Sequence, residues 1–297
     1  MPINTDLNVT PYYDDYDEDK KFHKVLFRPS VPIQARELTQ LQTILQNQVE
    51  RLGDHVFKEG SIVKGCSIQD QSIHYAKVND ANTSGSALVM TDFADTYIRN
   101  SSNLISQVFE SESGFEATNP DLNSIFYYHV NSGNNSGTEV TGYSAGEEIS
   151  VFDQNASINA VTLSSNTGTA YSNADTINFT STFGSNGVAN LTTNSTGGIV
   201  GTSFNNTSSQ GHSFRITNIP TVSISTSTGT GANTDNFVVA LTKKNIVTIA
   251  NTSFEDAGGN TEFQTIGAGM RISVNDGIIY QKGFFEQVSE QSIMVTK

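Results

Sequence analysis

The chain has 297 residues, with 30 acidic and 16 basic side chains and a net charge of −14. That balance argues against a nucleic-acid binder, which needs a concentrated basic surface; the only adjacent lysines are Lys20–Lys21 and Lys243–Lys244. No apolar run approaches the ~18 residues of a membrane-crossing helix, the start MPINTDLNVT lacks the pattern of a secretory signal, and the lone Cys66 has no partner for an internal disulfide.

Residues 1–21 contain the acidic run Asp14-Asp15-Tyr16-Asp17-Glu18-Asp19. From Asp15 it opens like a calcium loop, but Lys20 stands where the sharp turn needs Gly and Leu26 where the bidentate Glu belongs. The segment reads instead as an extended docking arm, with Tyr12, Tyr13, Tyr16 and Phe22 as aromatic anchors for pockets on a partner. Phe22 to Phe27 alternates enough to predict a short strand, ended by Arg28-Pro29.

A helix is predicted from Gln34 to Leu52. Leu38, Leu41, Ile44, Leu45, Val49, Leu52 and Val56 recur at steps of three and four, which puts them on one face. Pro32 marks the approach, Glu37 lies near the positive end, and Arg51 followed by Gly53 supplies the stop signal. Leu38, Leu41, Leu45 and Leu52 also fit two heptad seams, with Gln48 as the polar member of the second. Taken alone the face fits an ordinary core helix; the functional reading is that three such helices around an axis bury the leucines and let Gln48 hydrogen-bond across it, and the expected assembly is a homotrimer.

Short strands are predicted thereafter: Val56–Lys64, an imperfect pair over Ser67–Val78, Ala87–Phe93, Leu104–Phe109, Ser124–Val130 and Glu148–Phe152. Asn119-Pro120-Asp121 reads as a turn and Asn131 to Gly137 as a loop tip. Between Gln154 and Thr242 the only charged residues are Asp175, Arg215 and Asp235, amid Ser, Thr, Asn and Gly. Patches at Ile177/Phe179, Phe214/Ile216, Val222/Ile224 and Phe237–Leu241 favour a folded β insertion over disorder. Strand patterns resume at Asn245–Ile249 and Gly269–Val274. Asn275-Asp276-Gly277 reads as a hairpin turn into Ile278–Gln281, and Glu286–Val288 and Ser292–Thr296 follow.

The fold class is therefore mainly β with one long N-terminal α-helix, a multi-strand sandwich-like body and a Ser/Thr/Asn-rich insertion. The domain reading is 1–65 for arm, strand and helix, 66–152 completed by 244–297 for a β domain, and 153–243 for the insertion.

Catalysis needs a nucleophile, a base or a metal held in a site. His23, His55, His74, His129 and His212 sit in no metal-ligand spacing, and no nucleophile elbow or phosphate loop occurs. The glycines around Gly229 and Gly231 read as a turn, since no helix follows to cradle phosphate. Glu110, Glu112 and Glu116, and the pair Glu147 and Glu148, read as exposed loop charges rather than a glycosidase pair. No catalytic, metal or cofactor site is expected.

The run PYYDDYDEDKKFHKVLFRPSVPIQARELTQLQTILQNQVERLGDHVFKEGSIVKG, within residues 7–65, resembles the N-terminal signature of a tail-protein family of contractile-tailed phages, chiefly those of marine cyanobacteria. Weaker echoes lie at Asp121–Val130, Ser144–Phe152 and Gly277–Val295. The resemblance implies a non-enzymatic virion component that links a tail fibre or spike to the baseplate, with baseplate or other tail proteins as partners. It implies synthesis in the host cytoplasm and a place in the phage tail. It also implies longer chains than this one, which stops in a strand-like pattern. The rival reading is a host-surface glycan-binding or glycan-cleaving tailspike module.

Overall fold

The computed structural model describes residues 8–114, 123–131, 142–251, 254–255 and 261–296. Among the described residues the chain is mainly β, with one α-helix near its N-terminus. The helix α1 spans Ala35–Val56, and the first strands are β1 (Ser61–Gly65), β2 (Ile68–Asn82), β3 (Tyr97–Arg99), β4 (Ile105–Glu112), β5 (Asn123–His129) and β6 (Glu148–Phe152). The low-charge stretch holds β7 (Ile158–Leu163), β8 (Thr176–Thr180), β9 (Ser185–Thr193), β10 (Ile199–Ser203), β11 (Gln210–His212), β12 (Thr221–Ser225) and β13 (Phe237–Leu241). After it come β14 (Asn245–Ile249), β15 (Phe254–Glu255), β16 (Thr261–Phe263), β17 (Ile266–Val274), β18 (Gly277–Gln281), β19 (Phe284–Val288) and β20 (Gln291–Thr296). By compactness the chain divides into unit 1, Met1–Gln71 with Arg271–Met294, and unit 2, Ser72–Met270 with Val295–Lys297.

Unit 1 sets α1 against a three-stranded antiparallel sheet in the order β1-β18-β19. The helix begins where sequence signals placed it: the Gln34 backbone N–H donates to the Glu37 carboxylate at 2.9 Å, satisfying one otherwise orphaned donor. Its end differs. Gly53 does not stop the helix, which continues to Val56. The glycine serves packing instead, because a Cβ there would lie 2.3 Å from Cε2 of Tyr280. Tyr280 is fully buried, and its hydroxyl lies 2.7 Å from Asp54 Oδ1 and 3.0 Å from the Glu50 carbonyl. Phe57 and Phe285 pack around the same ring, with centroids 5.8 and 5.3 Å away.

Four local expectations are corrected. Phe22–Phe27 is no strand, since its extended backbone has no strand partner among the described residues. Ala87–Phe93 is no strand either. Ala87 makes a single bridge to Ala81, and Met90–Asp92 then turn as a 3-10 helix that delivers buried Met90 and Phe93 to a hydrophobic core. Asn275-Asp276-Gly277 does not close a β17–β18 hairpin, because β18 pairs with β1 and β19. The Asp276 carbonyl accepts from the Cys66 backbone N–H at 3.2 Å, and Gly65 and Gly277 lie too close to this contact for a Cβ on either. The imperfect pair expected over Ser67–Val78 is one strand, β2.

The eight-stranded sheet, most of whose strands lie in unit 2, is barrel-like. Its order runs β14-β6-β3-β4-β5-β2-β17-β20, and β14 also pairs with β2, which closes a ring of six strands. Strand alternation sends Ala76, Val78, Ile98, Val108, Ile125, Ile149, Val151, Val247 and Ile249 into the ring as its core. Between β6 and β14, which are hydrogen-bonded neighbours, the chain makes the excursion β7–β13. There a sheet ordered β10-β9-β8-β12, with β11 on β9, shares one core with the pair β7-β13. That core includes Tyr97, Ile105 and Phe152 from the outer face of the ring. The patches at Ile177/Phe179, Val222/Ile224 and Phe237–Leu241 are strands; Phe214 is instead an isolated bridge to Ala156.

Candidate docking and self-association site

The docking arm lies along α1 within unit 1. Asp14 is buried and accepts from the Thr43 hydroxyl on the helix, and its other carboxylate oxygen accepts the Tyr16 backbone N–H at 3.0 Å. Asp17 caps a 3-10 turn, Glu18–Lys20, and Glu18 pairs with Arg51. Gln48 Nε2 donates to the His23 carbonyl at 3.4 Å. The acidic run thus uses particular carboxylates to fasten the arm, and Ile44 is buried in this region of the helix. An open groove of about 320 Å³ remains, lined by Tyr16, Phe22, His23, Ile44, Gln48 and Arg51 among others.

Of the expected anchors, Tyr12, Tyr13 and Phe22 are exposed, whereas Tyr16 is half-buried. Burial raises the Tyr16 phenol, and the neighbouring Arg51 guanidinium opposes that shift. Glu50, on the Tyr280 side of the helix, is also raised by burial and by the Asp54 carboxylate one turn on.

Each α-helical residue advances about 100° around the axis, so three sectors of α1 can be separated. Gln46, Glu50 and Gly53 face β18 and β19, where Gln46 Nε2 donates to the Gly283 carbonyl at 3.1 Å. Thr43, Ile44, Gln48 and Arg51 meet the arm. The remaining sector carries Leu38, Leu45, Val49, Leu52 and Val56, which are 49, 53, 41, 66 and 59 % exposed. Leu41 is half-buried at its edge. The five seam residues read from the heptad are therefore not equivalent. Leu38, Leu45 and Leu52 form the centre of an open stripe, Leu41 borders it, and the Gln48 amide is engaged by the arm. Val49 and Val56, which periodicity already sets on the same apolar face, complete the stripe.

The remaining candidates for chemistry fall elsewhere. Among the described residues no group of three or more His, Cys, Asp or Glu side chains could hold a metal ion, and no helix is long and apolar enough to cross a membrane. Glu110 and Glu112 lie on β4 and Glu148 on β6, while Glu147 accepts the Ser144 backbone N–H at 3.0 Å. Glu116, the turn at 119–121 and positions 132–137 of the loop tip lie outside the described residues. Gly229 sits against the Tyr171 ring in a turn bridged by Thr169 and Thr230.

Two features were not visible in the sequence. Inside the ring of unit 2, His129 Nδ1 and Ser106 Oγ are 2.7 Å apart, the Tyr143 hydroxyl donates to Ser106 Oγ at 3.0 Å, and the His74 ring lies 4.7 Å from that of His129. Burial pushes the phenols of Tyr127 and Tyr143 up. Ser106 is fully buried, which denies this constellation a substrate. The second is a polar groove on the outside of the ring around Arg99.

The chain was compared with protein-family models, curated proteins and solved structures. Neither the curated proteins nor the solved structures gave a match. Among family models, the one described as Domain of unknown function (DUF4815) matches residues 10–83, a segment that takes in the arm, α1, β1 and β2. A DUF4815 domain, with no function attached to it, is therefore found over the part of the chain that contains the arm and the open leucine stripe.

Proposed function

We propose that this protein is a structural component of a phage tail, joining a fibre or spike to the baseplate through its N-terminal arm and assembling as a homotrimer through α1. The observation that carries the proposal is the open stripe of Leu38, Leu45, Val49, Leu52 and Val56 on a helix whose other two sectors are engaged. Leu38, Leu45 and Leu52 follow one another at heptad spacing, as the a positions of a coiled coil do. Burying these half-exposed side chains against two copies of the same helix is favourable by roughly 1 kcal/mol each. The tail assignment draws on the resemblance of residues 7–65, and the family match over residues 10–83 is compatible with it without adding a function. In this reading the exposed Tyr12, Tyr13 and Phe22 contact baseplate or other tail proteins, and the protein acts in the virion by buried contacts rather than by catalysis.

Light scattering of the purified chain tests the assembly. The expected mass is three times the 32.0 kDa of one chain. Leu45→Glu combined with Leu52→Glu is expected to give one chain mass without loss of secondary structure, because both side chains are exposed. A stable monomer of the unaltered protein overturns the self-association. For the arm, the triple change Tyr12→Ala, Tyr13→Ala, Phe22→Ala is expected to reduce incorporation into tails while leaving the mass unchanged. Normal incorporation would place the docking surface elsewhere.

A further inference from the structure

Arg99 ends β3, and the strand register sets it beside Ser150 on β6, which lies beside Ile246 on β14. This row is on the outer face of the ring, since the adjoining Ile98, Val151 and Val247 are in its core. Glu148 follows on the same face of β6, two residues from Ser150. Asn103, from the turn after β3, and Lys243, just before β14, complete an open groove of about 400 Å³. That volume is within the range of small-molecule sites.

Neither cation of this groove is held by a carboxylate among the described residues. The Arg99 guanidinium carbon stands 5.2 Å from the centroid of the Phe152 ring, which is itself buried and so forms a fixed platform. This cation–π contact restrains the guanidinium and leaves N–H donors for a planar acceptor. Neither Arg99 nor Lys243 forms an ion pair among the described residues, whereas neighbouring Lys244 is held by Asp153 at 3.1 Å. On a chain of net charge −14, two cations without an ion-pair partner among the described residues, beside one carboxylate, make a local positive focus. The lining is mixed, however. Glu148 would repel a bare anion but accepts hydroxyl donors, Ser150 and Asn103 offer neutral hydrogen bonds, and Ile246 gives an apolar wall.

We propose that this groove binds an acidic saccharide, with a uronic-acid carboxylate on Arg99 and Lys243. Sugar hydroxyls bond to Glu148, Ser150 and Asn103, and the apolar face of the ring rests on Ile246. The binding does not depend on trimer formation, so it stands or falls separately from the assembly.

Isothermal titration of the full chain with trigalacturonate, maltotriose and sodium acetate tests it. Saturable binding of trigalacturonate is expected, with maltotriose and acetate each at least about tenfold weaker. Arg99→Gln is expected to lower trigalacturonate affinity at least about tenfold, the effect of losing a charge-assisted hydrogen bond. Lys243→Ala, at an exposed side chain that leaves the fold untouched, should lower it in the same direction. Absence of saturable trigalacturonate binding overturns the proposal, as does undiminished affinity in both variants. Equal affinity for maltotriose removes the acidic requirement, and equal affinity for acetate reduces the groove to a simple anion site; either result overturns it as well.

Discussion

The two units solve the problem of apolar surface in opposite ways. In unit 2, a closed ring and the β7–β13 excursion each surround a core, and Ile98, Ile125, Ile149, Ile158, Ile177 and Phe214 are fully buried. In unit 1, α1 buries only Ile44 and Gly53, although seven large aliphatic residues lie along one side of it. A closed β ring leaves no unpaired edge and needs no partner to satisfy its backbone. A helix held by an arm and one small sheet has a sector left over. Unit 2 thus encloses two apolar cores, while unit 1 leaves one apolar sector of α1 uncovered among the described residues.

The largest test of that contrast is Phe152→Ala. Phe152 is buried in the core that joins the outside of the ring to the β7–β13 sheets. Removing its ring leaves a cavity worth about 3–5 kcal/mol, so thermal unfolding of unit 2 should move sharply down. The oligomer mass should stay the same if completeness is a property of unit 2 alone. A change in mass would mean that the cores of unit 2 also support assembly.

Next in size is Gly53→Ala. In a solvent-facing helix this change would stabilise by roughly 0.5–1 kcal/mol. Here the new Cβ meets a buried Tyr280 ring at 2.3 Å, and forcing that ring aside costs about 1–3 kcal/mol. Net destabilisation, seen in chemical denaturation, is the expected result; stabilisation would show that the helix does not seat on Tyr280.

These two residues also mark what was legible in the chain. The fold class and the helix could be read because both rest on local periodicity, as with β6, whose bounds match the expected strand at Glu148–Phe152. Gly53 reads as a stop in the sequence because an interior glycine and a terminal one look alike until Tyr280, more than 200 positions away, is placed against it. The Asn275-Asp276-Gly277 turn failed for a related reason: β1 takes the edge of β18 that a local hairpin would have used. The seam was legible as a stripe, but its centre was not. Only the arm's contacts, Asp14 to Thr43 and His23 to Gln48, determine which flank of the stripe is covered. The Arg99 groove was invisible, since its row crosses β3, β6 and β14, strands separated by long stretches of chain.

A smaller effect is expected from pH. Burial, aided by the Asp54 carboxylate, pushes the Tyr280 phenol up to about 12. An unfolded tyrosine titrates near 10, so the stability contributed by the neutral phenol is complete below about pH 10 and is lost as pH rises through 12. Alkaline titration followed by tyrosinate absorbance should show unit 1 loosening in that window. Tyr280→Phe should remove this pH dependence at the cost of the hydrogen bond to Asp54. An unchanged alkaline transition in that variant would assign it to another tyrosine.

The smallest effect on the isolated chain, and the sharpest test of incompleteness, is Leu52→Ala. At 66 % exposure Leu52 has little packing to lose in one chain, so its removal should alter monomer stability by no more than about 0.5 kcal/mol. In the assembled helix the same side chain would be covered, and losing it from each copy acts several times over in a trimer. Dilution series of the two proteins by light scattering should therefore part company, with Leu52→Ala dissociating at the higher concentration, while their unfolding curves at the lowest concentrations coincide. If instead the unfolding curves separate and the dissociation curves coincide, Leu52 packs within its own chain and the open side of α1 must be sought around Leu38.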